Sequence, residues 1–205
     1  MFKLQEDSYM RALMAIGLAA ALAVSVKAQT PELKVGDTAP DFSLQASDGK
    51  TYKLSDFKGK KAVVVAWFPK AFTQGCTIEC KSLAENGDKI KMYDVAYFMA
   101  SVDSVEDNTK FAKATSVTLQ GRGGGPATVV EKKEADFPML ADPTKEVATK
   151  YGVLMPNPPG FANRWTFYID KNGKIAYIEK TVKPATSAED MIAKLGELKV
   201  PMNHH

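Results

Sequence analysis

The stretch Ala62-Val63-Val64-Val65-Ala66-Trp67-Phe68-Pro69-Lys70-Ala71-Phe72-Thr73-Gln74-Gly75-Cys76-Thr77-Ile78-Glu79-Cys80 contains both cysteines of the 205-residue chain. Its first seven residues are apolar, mostly β-branched and aromatic at the end, the composition of a strand buried on both faces. Pro69 ends that run. After a turn-like Thr73-Gln74-Gly75, the residues Cys76, Cys80, Leu83, Gly87 and Ile90 recur at intervals of four, three, four and three, which is one face of a helix. Cys76 therefore opens a helix that follows a buried strand, and Cys80 sits one turn further along.

A cysteine in the first turn of a helix faces unpaired backbone N–H groups and the positive end of the helix dipole, and both favour the thiolate. Cysteines so placed can have pKa values of about 3.5 to 7.5 instead of about 8.5. The thiolate is the nucleophile, so position alone makes Cys76 a candidate reactive group. Position alone also allows two inert core thiols, since free cysteine is among the most buried residue types.

Working outward, Phe42-Ser43-Leu44-Gln45 and Thr51-Tyr52-Lys53-Leu54 alternate around Ser47-Asp48-Gly49-Lys50 as a hairpin. Val95 to Val102 reads as a second buried strand. Ser104 with Asp107 three residues later resembles a capping box for a helix to about Ala114. Strand, helix, strand, helix implies an α/β domain with parallel strands. Phe137 to Leu140 reads as a short strand, and Asp142-Pro143 as the N-cap and first residue of a helix ending near Tyr151-Gly152. Trp165 to Ile169 and Lys174 to Ile178 read as a hairpin, and Thr186 or Ser187 as the cap of a last helix to about Leu198. Between Thr115 and Glu134 the pattern breaks at Gly121-Arg122-Gly123-Gly124-Gly125-Pro126. With no Gly-Lys-Ser/Thr after it this is not a phosphate loop, and residues 115–134 read as a flexible, glycine-rich insertion.

The front of the chain has its own character. Ala12 to Val26 is a run of fifteen uncharged residues, preceded by Arg11 and followed by Val26-Lys27-Ala28, a small-residue cleavage pattern. Residues 1–28 are read as a signal peptide and 29–205 as one domain. The apolar run is shorter than the roughly 20 residues of a spanning helix, so no membrane attachment is expected after cleavage. Cleavage would leave 177 of the 205 residues and, by removing Lys3, Arg11 and Lys27 with Glu6 and Asp7, take the net charge from +3 to +2. With near-balanced charge and no basic cluster interleaved with aromatics, nucleic-acid binding has no support.

Pro69, Thr73 and Cys76 fit P-x-x-x-T-x-x-C, which resembles the active-site motif of peroxiredoxins, and FPKAFTQGCTIEC is most similar to the PrxQ (bacterioferritin-comigratory) branch. Gly36 to Phe42, Leu54 to Lys60, and FPMLADPTKEVATKYGV extend the resemblance, which runs from about Val35 to Leu198 with residues 115–134 interrupting it. It implies a thioredoxin-like fold, a central mixed β-sheet flanked by helices. It implies a peroxidase that reduces hydrogen peroxide or organic hydroperoxides with Cys76 as peroxidatic cysteine, and needs no cofactor or metal. Thr73 and Pro69 match the motif residues around that sulfur. Arg164 opens Arg164-Trp165-Thr166-Phe167-Tyr168-Ile169-Asp170, in register with the family pattern R-x-T-F-x-I-D that supplies the active-site arginine. Glu79 is read as a helix-dipole partner in the first turn that need not take part in the chemistry.

One departure concerns Cys80. PrxQ-like proteins commonly carry the resolving cysteine five residues after the peroxidatic one, and here the spacing is four. Four helical residues separate Cα atoms by about 6 Å, within disulfide range, but put Cβ atoms about 5–6 Å apart where a disulfide needs about 3.5–4.5 Å. A Cys76–Cys80 disulfide, reduced in turn by a thioredoxin-like or other thiol donor, therefore requires the first helical turn to unwind. The alternative is resolution by an external thiol. Monomer and homodimer are both compatible with the sequence. Two readings from other classes remain. Cys-x-x-x-Cys on an exported thioredoxin-like fold also resembles copper-binding Sco proteins, whose distant histidine ligand finds only His204 and His205 here. A thiol-disulfide oxidoreductase would want Cys-x-x-Cys.

Overall fold

The computed structural model of the chain describes residues 32–203. The signal-peptide reading of residues 1–28, and His204 and His205, lie outside them. Strand β3 (Ala62–Trp67) is buried at every position, and its alternating side chains enter two different cores. Val64 and Ala66, with Phe68 after them, face one; Val63, Val65 and Trp67 face the other. That division is what a period-two strand with apolar residues on both faces must produce.

Around it assemble β1 (Ser43–Ala46), β2 (Thr51–Lys53), β4 (Val95–Ser101), β7 (Met139–Ala141), β8 (Thr166–Ile169) and β9 (Ile175–Glu179), in the order β2-β1-β7-β4-β3-β8-β9. β3, β4 and β7 are parallel, with Val64 opposite Tyr97 and Ala100 opposite Leu140. β8 joins β3 antiparallel, Val65 opposite Phe167, and β1 joins β7 antiparallel. The sheet is thus mixed, as expected. Helices α1 (Gln74–Glu85), α3 (Val105–Lys113) and α5 (Ser187–Glu197) pack on the first core through Cys80, Leu83, Phe111, Met191 and Leu195. Helix α4 (Glu146–Lys150) and the segment around Leu54 cover the second. The apolar face that begins at Cys76 bends at Asn86 and continues through the short helix α2 (Gly87–Ile90). Among the described residues no helix is long and apolar enough to cross a membrane.

Two local readings need correction. Residues 115–134 are not irregular: β5 (Ser116–Leu119) and β6 (Thr128–Glu131) form an antiparallel hairpin, with Val117 opposite Val130. The glycines make its turn, where Gly123 and Gly124 take φ of 66° and 82°, and Val117 and Leu119 alternate into the first core. The helix expected from Pro143 starts instead at Glu146, because Lys145 adopts a left-handed φ of 63° and breaks the helical path. Asp142 still does the capping work from a distance: Oδ2 accepts the Ala148 N–H at 2.7 Å and Oδ1 the Thr144 hydroxyl at 3.1 Å. Ser104 caps α3 as its sequence indicates, accepting the Asp107 N–H at 3.0 Å. Thr186 takes the N-cap position of α5, but its hydroxyl donates to Asp190 at 2.8 Å.

Candidate active site

Helix α1 starts at Gln74, with Thr73 at the N-cap and Cys76 as its third residue. Its first bond runs from the Thr77 N–H to the Thr73 carbonyl at 2.8 Å, so the N–H groups of residues 74–76 have no partner within the helix. They bring the positive helix end to Cys76, as the sequence suggests.

The loop that delivers the helix from β3 is pinned. Asp103, buried after β4, accepts the Ala71 N–H at 2.9 Å with Oδ2 and pairs with the Lys70 ammonium through Oδ1. The Ser101 hydroxyl holds the Asp103 N–H at 3.2 Å and donates to Asn108 at 3.1 Å. Phe72, in this loop, has φ of 62° and lays its half-open ring edge-on to Phe111, 5.1 Å between centroids. A bulky residue at positive φ is strained, by about 1–3 kcal/mol, and persists only where neighbours hold it. Asp103 supplies that hold.

Arg164 enters from the strand before β8. Its Nη2 donates to Cys76 Sγ at 3.2 Å and its Nη1 to Glu79 Oε2. Burial acts to lower the Arg164 pKa, but the charges of Glu79 and Cys76 outweigh it and leave it above its ordinary value. The cation is thus secure beside the sulfur. The close approach depends on Gly75: a Cβ there would stand 2.9 Å from Nη2 and 3.6 Å from Cζ.

Glu79 is more than a dipole partner, which corrects the sequence reading. It is fully buried, three residues after Cys76 on the same helix face, and it orients the guanidinium. Burial pushes its carboxyl from 4.5 to about 7, against the opposing charge and hydrogen bond of Arg164 and the nearby Ser187. Among the described residues its Oε1 has no partner in hydrogen-bonding geometry.

Of the five expected site residues, Cys76 and Arg164 meet directly. Thr73 is exposed beside the helix start, but its hydroxyl donates to the Lys70 carbonyl at 2.9 Å, not to the sulfur. Pro69 is half-buried where the chain leaves β3. Cys76 and Cys80 are both free thiols within intact α1. Cys80 lies in the first core, and burial pushes its thiol up to about 11. Residues missed in the sequence are Gly75, Glu79 as an arginine seat, and Asp103. Among the described residues no three His, Cys, Asp or Glu side chains gather as metal ligands.

Residues 35–178 match the model of the AhpC/TSA family. The chain is 33% identical over 151 residues to peroxiredoxin Bcp of Escherichia coli K12, covering 71% of this chain and 85% of that one. It is 32% identical over 146 residues to the chloroplastic 2-Cys peroxiredoxin BAS1 of Hordeum vulgare, 70% of this chain and 64% of the relative. The solved structure of peroxidoxin BcpB from Mycobacterium tuberculosis superposes with a TM-score of 0.66 at 25% identity, covering 81% of this chain and 98% of that one.

Proposed function

We infer the working of this site from one premise: the chain belongs to the AhpC/TSA family, the peroxiredoxins, with relatives in the Bcp branch, and is a thiol-dependent peroxidase. Its substrate is a peroxide and its reductant a thiol. The copper-binding and thiol-disulfide oxidoreductase readings are not favoured beside such relatives.

At the level of residues, Cys76 is the peroxidatic cysteine. The observation that carries this is the Arg164 guanidinium on Sγ, at 3.2 Å, over the unpaired N–H groups of a helix start. The thiolate attacks one peroxide oxygen; the S–O bond forms as the O–O bond breaks, and the departing oxygen leaves as an alkoxide or hydroxide that takes a proton. Cys76 becomes a sulfenic acid. Arg164 and the helix N–H groups face the region where negative charge passes from sulfur to oxygen, and Glu79 fixes the guanidinium there. Thr73 and Pro69 flank the helix start that carries Cys76; for the Thr73 hydroxyl to meet a peroxide it gives up the Lys70 carbonyl. Cys80 then resolves the sulfenic acid as a Cys76–Cys80 disulfide, with the first turn of α1 unwinding so that Cys76 reaches it, and a thioredoxin-like donor restores the dithiol. External-thiol resolution at Cys76 is the competing route, and since Cys76 and Cys80 are both buried in the reduced fold, either route requires the start of α1 to open.

The uncharged run Ala12 to Val26 supports export to the periplasm or beyond with cleavage after Ala28, tested by the intact mass of protein recovered from an exporting cell. We read the exported chain as a monomer or homodimer, free of the membrane, which light scattering after gel filtration resolves. The function itself is tested by hydrogen peroxide consumption with dithiothreitol as donor. Wild type consumes it catalytically and Cys76→Ser does not; equal rates in the two would reject the site.

A further inference from the structure

Lys132, the residue after β6, is 6% exposed, yet no carboxylate among the described residues pairs with it. Its Nζ donates to the carbonyls of Ala112 at 3.3 Å and Lys133 at 3.2 Å and stands 5.7 Å from the centroid of the Phe111 ring. A buried cation without an anion is costly, and a neutral side chain of similar length would be cheaper. The Ala112 carbonyl shares its acceptance, taking the Ala135 N–H at 2.9 Å as well, and neither carbonyl carries a formal charge to neutralise the ammonium. An ammonium has three protons, and two carbonyls use two of them.

Cys80 lies in the same core as Phe111, the ring against which the Lys132 ammonium stands. The Lys132 N–H closes the base of the hairpin on the Thr115 carbonyl at 2.9 Å, and the hairpin is tied to α1 next to this cysteine, where Lys81, adjacent to Cys80, donates to the Glu131 carbonyl at 2.6 Å. We propose that Lys132 is the counter-ion of Cys80, its buried ammonium stabilising the thiolate that Cys80 becomes when it attacks oxidised Cys76. This rests on the reading that Cys80 resolves Cys76. The hairpin then holds the resolving thiol and its charge partner in place while the first turn of α1, carrying Cys76, does the moving.

In that step the Cys80 thiolate attacks the Cys76 sulfenic sulfur. The S–S bond forms, the S–O bond breaks, and hydroxide leaves with the electron pair and takes up the proton lost by Cys80 as water. Cys80 is oxidised and Cys76 reduced. The charged groups acting on Cys80 are few. Burial raises its pKa most, the charge of Lys132 lowers it, and the charges of Glu79 and Cys76 raise it. Among these groups Lys132 alone favours the thiolate.

The test mixes the reduced protein rapidly with hydrogen peroxide and follows loss of the Cys76 thiol and formation of the disulfide by quenched intact mass, across pH, for wild type, Lys132→Met, Lys132→Gln and Lys132→Arg. An opposite charge within about 4–6 Å shifts a titrating group by about 1 to 3 pKa units, and the higher nucleophilicity of the more basic thiolate returns about half of that. The neutral variants should therefore slow the disulfide step about 3- to 30-fold, move its pH profile upward and accumulate Cys76 sulfinic acid, while Lys132→Arg restores most of the rate. Thermal unfolding of Lys132→Met should match or exceed wild type, since a buried cation has been removed. If both neutral variants form the disulfide at the wild-type rate and pH profile, Lys132 only docks the hairpin and the proposal is overturned. If wild type reacts rapidly with peroxide but forms no internal disulfide, the resolving reading fails and takes the proposal with it.

Discussion

Gly75→Ala should separate reactivity from stability. The added Cβ would lie 2.9 Å from Arg164 Nη2, against about 3.4 Å for an ordinary contact, so the tip of the arginine must retreat by about 0.5 Å. The backbone has no reason to move, because the clash is with the end of a long side chain and Pro184 Cγ is at 3.8 Å. If the retreat is away from the sulfur, the 3.2 Å contact lengthens to about 3.7 Å. At an effective dielectric constant of about 20, the attraction of unit charges falls from about 5.2 to about 4.5 kcal/mol, a loss of about 0.7 kcal/mol or roughly threefold. Against this, alanine is a better helix former than glycine by up to about 1 kcal/mol. The variant should therefore unfold at or above the wild-type temperature while its Cys76 loses about threefold in second-order reaction with hydrogen peroxide, read by stopped-flow tryptophan fluorescence and thiol titration. An unchanged rate would refute the idea that Gly75 seats Arg164 on the sulfur. A marked fall in unfolding temperature would refute the claim that only the arginine tip adjusts.

Two further perturbations address the frame around that contact. Glu79 has a folded pKa of about 7 against 4.5 in the unfolded chain, so the native state binds the extra proton and this group's contribution is fully present below pH 4.5 and lost as pH rises through 7. The loss is on the order of 3 kcal/mol, and Glu79→Gln should flatten the decline in urea midpoint between pH 4.5 and 8 relative to wild type; parallel curves for the two proteins would contradict it. Asp103→Ala strands the Ala71 N–H that its carboxylate accepts at 2.9 Å, which should cost about 1–3 kcal/mol and slow the peroxide reaction by loosening residues 70–73, whereas Asp103→Asn keeps an acceptor and should lose less. Chemical denaturation with the same thiol assay ranks the three, and equal losses for both variants would argue against the acceptor role.

Much of the frame is legible in the sequence because the signals are local. The β3 run is apolar at every position and β-branched, the Ser104 cap sits at the right offset from Asp107, and Cys76 to Ile90 keeps helical spacing across the bend at Asn86. Arg164 is visible only through the family pattern, since a charge before a strand is otherwise unremarkable. Glu79 carried a readable signal: an acid three residues from Cys76 falls on the apolar face and so needs a buried cation, but only the fold shows which one. Gly75 carried none, as its role is the space it leaves for a side chain 89 positions away. In residues 115–134 the glycines hid a short alternation, Ser116-Val117-Thr118-Leu119, whose two apolar residues are both buried. The start of α4 depends on Lys145 accepting a left-handed backbone, which its identity does not announce.

The central claim is that Cys76 takes the oxygen and Cys80 removes it. It is tested most directly by mixing reduced wild type, Cys76→Ser and Cys80→Ser with one equivalent of hydrogen peroxide and reading intact mass after rapid quench with a sulfenic-acid trap. The account predicts that wild type loses two hydrogens as an internal disulfide, Cys80→Ser carries the trap at Cys76, and Cys76→Ser does not react on that timescale. Slow oxidation that is indifferent to which cysteine is missing would contradict it.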